Sequence, residues 1–293
     1  MHGCVQSPVA VLKLPADLAD QVARALREDI GPGDVTAELI PSSQQAQAQV
    51  LCREPAVICG AAWFDETFRQ LDRQVAVEWS IAEGGHAPAN SIVCVLHGPA
   101  RAILTGERTA LNFLQLLSAT ASVTRRYLEA ISGSQCRILD TRKTIPGLRS
   151  AQKYAVRCGG GDNHRMGLYD LVLIKENHIA AAGSIGAAVS AARRQAPALR
   201  VEVEVEDLEQ LRQALDCRVE LVLLDNFDLP ALRAAVALNR AHDWPALLES
   251  SGGVTLDGIA AIAATGVDFI SVGALTKNIV AIDLSMRFEA PIH

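Results

Sequence analysis

Seven cationic side chains fall within residues 142–175 (Arg142, Lys143, Arg149, Lys153, Arg157, Arg165 and Lys175) against two acids, Asp162 and Asp170. That is a local excess of five positive charges in a chain whose net charge is −6, so the rest of the chain carries −11. Segregation of this kind points to a focused anion site in an acidic molecule. Arg142 and Lys143 follow the strand-like run CRILD, Arg165 follows GGGDNH, and Lys175 ends DLVLIK, positions where loops meet ligands. Arg149, Lys153 and Arg157 recur every four residues and fit a solvated helix face better than a site.

Carboxylates and glycines stand close to this cluster in the pattern. Glu204 and Asp225 end the runs VEVEVE and LVLLD, and such a pair beside cations can hold Mg²⁺ or sugar hydroxyls. Asp225 closes four apolar residues in a strand expected to be buried on both faces, where a merely solvating Asp is rare. Alternation puts Glu202, Glu204 and Glu206 on one strand face; an internal ion pair is an equally good account of Glu202 and Glu206. In SSGGVTLDG the backbone N–H groups of Ser251, Gly252 and Gly253 precede a helix, and Gly273 and Ala274 in SVGALT repeat the arrangement. Either loop alone reads as a helix cap, but two in succession late in a barrel read as a shared phosphate grip.

Composition narrows the partners. The 293 residues are 49% hydrophobic and 20% charged, the proportions of an ordinary globular chain. The acidic net charge excludes a broadly basic nucleic-acid coat, and 4% aromatics leave few stacking platforms for single strands. Seven cysteines without a C-x-x-C pair predict a reducing, cytoplasmic setting. No apolar stretch reaches the roughly 20 residues that span a bilayer, and the first fifteen residues lack a basic leader region. Among the histidines, His2, His86, His97, His242 and His293 read as surface residues and His178 as a cap or a packing residue. His164, after three glycines, reads as a ligand-facing residue, and the scatter supplies no zinc site.

These residues need elements to hold them. Leu18, Val22, Leu26 and Ile30 form one stripe of a helix ended by Gly31–Gly33. QAQVLCR, VAVEWSI and SIVCVLH alternate as half-buried strands, AAWFDETFRQLD reads as a helix, and residues 106–132 form one long helix or two joined near Ser118. This is a small α+β unit. From about residue 136, six apolar runs, each followed by a helical segment, predict a parallel sheet. Their ends carry Asp140, Lys175, Glu204, Asp225, Ser250 and Gly273, and polar groups at nearly every strand end favour a β/α barrel over an open sheet. YAVRCGG is ambiguous between helix and strand.

The strings EDIGPGDVT, GERTALNFLQ, DTRKTIPGLRSAQKYAVRCGGGDNHRMGLYDLVLIKENHI, VEVEVE, LLDNF, SSGGV and DFISVGALT resemble the quinolinate phosphoribosyltransferase family from about residue 20 to residue 288. Ile145 departs from it, standing where the family commonly has Thr. The resemblance implies a small α/β N-terminal domain plus an incomplete, seven-stranded α/β barrel. The corresponding boundaries are 1–117 with 278–293 for the first domain and dimer contacts, and 118–277 for the barrel.

It further implies a decarboxylating pentosyltransferase of NAD biosynthesis: quinolinate and phosphoribosyl pyrophosphate give nicotinate mononucleotide, pyrophosphate and CO2, with Mg²⁺ and no organic cofactor. Arg142, His164, Arg165 and Lys175 would surround the quinolinate carboxylates, with Lys143 and Lys175 toward pyrophosphate. Glu204 and Asp225 would meet ribose hydroxyls and, directly or not, the metal. Thr141, Ser251, Gly252, Gly253, Val272, Gly273 and Ala274 complete the implied substrate contacts, and Lys143, Lys175, Glu204 and Asp225 the catalytic set. Arg108 would reach the neighbouring subunit's site in a homodimer; by itself it reads as a helix residue pairing with Glu107. Two rivals remain from the residues alone: a Schiff-base lyase of a sugar phosphate using Lys175, and a non-catalytic anion-binding paralogue.

Overall fold

The computed structural model describes residues 12–289. His2, Cys4, His293 and most of the stretch read for a leader lie outside them. In chain order the elements are α1 (Leu18–Ile30), β1 (Gln45–Cys52), β2 (Ala56–Val57), α2 (Ala61–Leu71), β3 (Ala76–Trp79), β4 (His86–Ala87), β5 (Ser91–Pro99) and α3 (Ala100–Ala130). There follow β6 (Arg137–Leu139), α4 (Arg149–Gly159), β7 (Val172–Ile174), α5 (Glu176–Ala182), α6 (Ile185–Gln195), β8 (Val201–Val205), α7 (Leu208–Asp216) and β9 (Leu221–Asp225). The last are α8 (Leu229–Ala241), β10 (Leu247–Ser251), α9 (Ile259–Ala263), β11 (Phe269–Ser271), α10 (Ala274–Lys277) and β12 (Leu284–Phe288).

Two compact units divide these elements. One holds the residues up to Val123 with Ile145–Gly160 and the stretch from Ile279; the other holds Thr124–Thr144 and Gly161–Asn278. In the first unit β12, β1, β5 and β3 make an antiparallel sheet in that order. Its inner face packs Val50, Val93 and Leu96 against Phe64, Phe68 and Leu114. The stripe expected on α1 buries Val22 and Leu26 with Trp63, Leu117 and Tyr154, and Gly31 at φ +55° stops the helix as the turn predicts. The helix around Ser118 is continuous. Its buried hydroxyl is used across the unit, accepting from the N–H of Cys59 at 3.0 Å and donating to the same residue's carbonyl at 3.2 Å.

The six apolar runs become the six strands of the second unit, all parallel, in the order β6-β11-β10-β9-β8-β7. An isolated parallel bridge joins Leu139 to Asp162 beside β6. This is a partial α/β barrel, and among the described residues a single bridge, not a full strand, lies beyond the six. YAVRCGG resolves as the end of helix α4. Ser184, Asp207 and Asp228 cap α6, α7 and α8 by accepting from the backbone N–H three residues on, which fixes where each crossover helix starts. No helix among the described residues is long and apolar enough to cross a membrane.

Candidate active site

Parallel register places the polar strand ends at one level. Glu204 pairs with Leu223 and Leu223 with Glu249, so β8, β9 and β10 aim these side chains to the same face; one step further Asp225 stands beside Ser251. The strand ends open on a cavity of about 500 Å³ lined by Thr141, Arg142, Lys143, His164, Arg165, Lys175, Glu204, Asp225, Asn226, Glu249, Ser251, Gly252, Gly253 and Ser271, with Leu173 and Leu223 as its apolar patches. That volume suits a small ligand. A larger cavity, about 670 Å³, lies in the first unit between Gln44, His97, Leu104 and Phe288, and no lysine or arginine lines it.

The cations are held ready for negative charge. Burial, and the Arg142 guanidinium next, lower the pKa of Arg165 below the ordinary arginine range, which means two like charges share one space. Among the described residues, buried Arg142 Nε has no hydrogen-bond partner, a donor left for a ligand to satisfy. Lys175 is ion-paired with Glu204. The amide of Lys143 donates to Thr141 Oγ1 at 3.1 Å and its carbonyl accepts from Thr276 Oγ1 at 2.8 Å, which ties the 141–143 loop to helix α10. Asp225 accepts from Asn226 Nδ2 at 2.8 Å.

A buried network forms the floor. Asp140 is fully buried and accepts from Asn163 Nδ2 at 2.5 Å and from the amide of His164 at 2.9 Å, anchoring the loop that carries Arg165. His164 Nε2 lies 3.0 Å from Glu202 Oε2 and 3.5 Å from Glu249 Oε2, and both glutamates are almost wholly inaccessible. Ser271 Oγ donates to Glu249 Oε1. Burial first, and the Glu202 carboxylate second, push Glu249 up to about 8. Glu202 Oε1 and Glu249 Oε2 are buried with no hydrogen-bond partner among the described residues.

Eleven of the residues singled out in the sequence thus line one cavity. Val272, Gly273 and Ala274 do not, although Gly273 lies at the end of β11 where a Cβ would come within 3.2 Å of Lys143 Cδ. The helix after Ser251–Gly253 starts only at Ile259, so the N–H groups expected at a helix start belong to a free-standing loop instead. Of the three glutamates read on one face, Glu202 is buried in the floor, Glu204 lines the cavity, and Glu206 is exposed beyond the end of β8. Arg149, Lys153 and Arg157 all lie on α4, in the first unit, where Arg157 is exposed and Lys153 is buried rather than solvated. Arg108 lies on α3 in the first unit, 3.9 Å from Glu107. His178 Nδ1 accepts from the amide of Lys175 at 3.0 Å, so of the two readings, cap or packing residue, it caps. Glu249, Asn226 and Ser271 were not anticipated. A glutamate inside the apolar run ALLES carries the same signal that marked Asp225.

A parallel α/β barrel with a cation-rich cavity at its strand ends defines an enzyme for small polyanions. The family described as quinolinate phosphoribosyl transferase matches along most of the chain, its N-terminal domain at residues 34–118 and its C-terminal domain at residues 120–287. A Bacillus subtilis protein named probable nicotinate-nucleotide pyrophosphorylase (carboxylating) is 42% identical over 260 residues, covering 88% of this chain and 89% of its own. The human nicotinate-nucleotide pyrophosphorylase (carboxylating) is 38% identical and covers 96% of this chain and 95% of its own. The solved structure of the nicotinate-nucleotide pyrophosphorylase from Francisella tularensis superposes with a TM-score of 0.91 at 47% identity, covering 94% of this chain and 98% of the other. The chain belongs to the quinolinate phosphoribosyltransferase family.

Proposed function

We propose that this chain transfers phosphoribosyl from phosphoribosyl pyrophosphate to the ring nitrogen of quinolinate and releases pyrophosphate and CO2, leaving nicotinate mononucleotide. The observation that carries this reading is one cavity lined by Arg142, Lys143, Arg165 and Lys175 together with Glu204 and Asp225. Two polyanions must meet there, and four cations offset their mutual repulsion. Planar guanidinium forks suit the two ring carboxylates, so Arg142 and Arg165 orient the nitrogen, with His164 in the wall beside them. Lys143 and Lys175 face the pyrophosphate. The loop Ser251–Gly253 takes the 5′-phosphate.

The ring nitrogen forms a bond to the anomeric carbon as the bond to pyrophosphate breaks. Glu204 and Asp225 hold the ribose hydroxyls and stabilise positive charge on the sugar ring. The product is a pyridinium. Its adjacent positive charge stabilises the electron pair left at C2 when the 2-carboxylate departs as CO2, and that pair then takes up a proton to form the C2–H bond. The protein's contribution is orientation and charge more than proton transfer, and no organic cofactor enters. Glu204 and Asp225 offer the all-oxygen donors that suit Mg²⁺, and because Glu204 is already engaged by Lys175, contact through water fits best. When bound, Mg²⁺ would neutralise charge on the leaving pyrophosphate. We further propose a cytoplasmic homodimer in which Arg108 serves the neighbouring subunit's cavity.

Quinolinate-dependent pyrophosphate release in the presence of phosphoribosyl pyrophosphate and Mg²⁺ tests this reading; anion binding without turnover would overturn it. The ion pair with Glu204, which holds the ammonium charged, argues against Lys175 as a Schiff-base nucleophile, and borohydride should trap no sugar phosphate on it.

A further inference from the structure

We propose that Glu202 and Glu249 are positioning residues: as a buried pair they hold His164 in its Nε2–H tautomer, and through Nδ1 of that ring they fix the backbone of Arg165. The amide of Arg165 lies 2.8 Å from His164 Nδ1, and an amide N–H can only donate, so Nδ1 is the acceptor and carries no proton. The single proton of the neutral ring is then on Nε2, which faces Glu202 Oε2 at 3.0 Å with Glu249 Oε2 at 3.5 Å. Ser271 holds Glu249 from the far side.

The same geometry disposes of the other chemistry this trio suggests. One atom each from His164, Glu202 and Glu249 lies within 4.8 Å of the others, close enough for a divalent cation. A cation at Nε2 would need that nitrogen's lone pair and would move the ring proton to Nδ1, against the amide of Arg165. The trio is therefore an orienting device. Carboxylates that fix a histidine tautomer from behind are a general way of aiming a loop or ligand, and here the aimed group is Arg165, whose loop is held from below by Asp140. His164 thus acts through Arg165, with both ring nitrogens committed to the protein.

The inference rests on the proposed function only for the identity of what Arg165 meets, so two measurements separate them. The first is a long-range ¹H–¹⁵N correlation spectrum of the full chain labelled with [¹⁵N]histidine, with His164→Gln for assignment. It should show a neutral His164 ring protonated at Nε2 near about pH 7; an Nδ1–H tautomer or an imidazolium overturns the proposal, whatever the enzyme's substrate. The second is kinetic. Glu202→Ala should raise the KM for quinolinate about tenfold, the size of one lost charge-assisted hydrogen bond, with kcat and the KM for phosphoribosyl pyrophosphate changed less than about threefold. Glu202→Gln, which keeps an acceptor oxygen, should recover most of the loss. A folded Glu202→Ala enzyme with wild-type quinolinate KM overturns the proposal, and if that variant does not fold, Glu202→Gln and the wild-type spectrum decide it. A wild-type chain inactive on quinolinate would instead overturn the functional reading and leave the tautomer result to stand by itself.

Discussion

A Cβ placed on Gly252 would sit 2.1 Å from Asn226 Oδ1, and Gly252 holds φ at +102°. The amide of Asn226 in turn donates to the carbonyl of Ser251 at 2.9 Å, so the ends of β9 and β10 are laced together at the point where Asp225 stands beside Ser251. Only a residue without a side chain fits there.

Gly252→Ala should therefore strain the backbone by roughly 1–3 kcal/mol and move the loop assigned to the 5′-phosphate. The expected result is a KM for phosphoribosyl pyrophosphate raised about tenfold or more. Gly183→Ala is the control: φ is +88° and nothing lies within 4 Å of the added carbon, so it bears backbone strain without touching the cavity. Equal changes in KM for the two variants would remove Gly252 from the site.

Lys175→Ala and Arg142→Ala should each lower kcat/KM by at least about 10²-fold, since each removes a cation that offsets charge on a polyanion. The fold should survive. Lys175 has 41% of its side chain exposed, so its ion pair contributes no more than about 1 kcal/mol after solvent screening. Circular dichroism melts alongside initial rates check both halves, and near-normal turnover in a folded variant would contradict the assigned roles.

The pattern of strands was written plainly in the sequence because most are short apolar runs, and three of them end on a polar residue that lines the cavity. Lys175, Glu204 and Asp225 were legible for this reason. Glu249 carried the same local signal as Asp225, but its role was hidden because it comes from His164 and Glu202, which belong to a loop and a strand far from it in sequence; only folding makes the three neighbours. The continuity of α3 past Ser118 was equally hidden, since a mid-helix serine is tolerated here by a bond to Cys59 that no local rule supplies. Lys153 shows the converse failure. Its spacing with Arg149 and Arg157 reads as a wet helix face, yet tertiary packing buries it.

Glu249 also predicts how stability varies with pH. Its carboxyl goes from an ordinary value near 4.5 to about 8 in the folded chain, so between those values the native state binds a proton that the unfolded state has lost. More protons on the native side means stability falls as pH rises, from about pH 5 until the native group itself ionises near 8, beyond which this contribution is constant. His164 and Glu202 face the same carboxyl. Urea midpoints measured between about pH 5 and 9 should fall for the wild type and fall less for Glu249→Gln, whose amide stays neutral throughout. Parallel profiles would show that Glu249 does not carry the proton.

Arg108 gives the test of assembly. If each cavity takes Arg142 from its own chain and Arg108 from its partner, then Arg108→Ala and Arg142→Ala chains are separately inactive but complement one another. In a mixed dimer the cavity of the Arg108→Ala chain has its own Arg142 and receives an intact Arg108, while the other cavity lacks both. Random pairing of equal amounts makes about half the dimers mixed with one good cavity each, so co-expression should restore about a quarter of wild-type activity in a two-fold assembly. If Arg108 served its own chain, every cavity in every dimer would lack one arginine and no activity would return. Sedimentation of the wild type, with rates for the single and co-expressed variants, distinguishes the two arrangements.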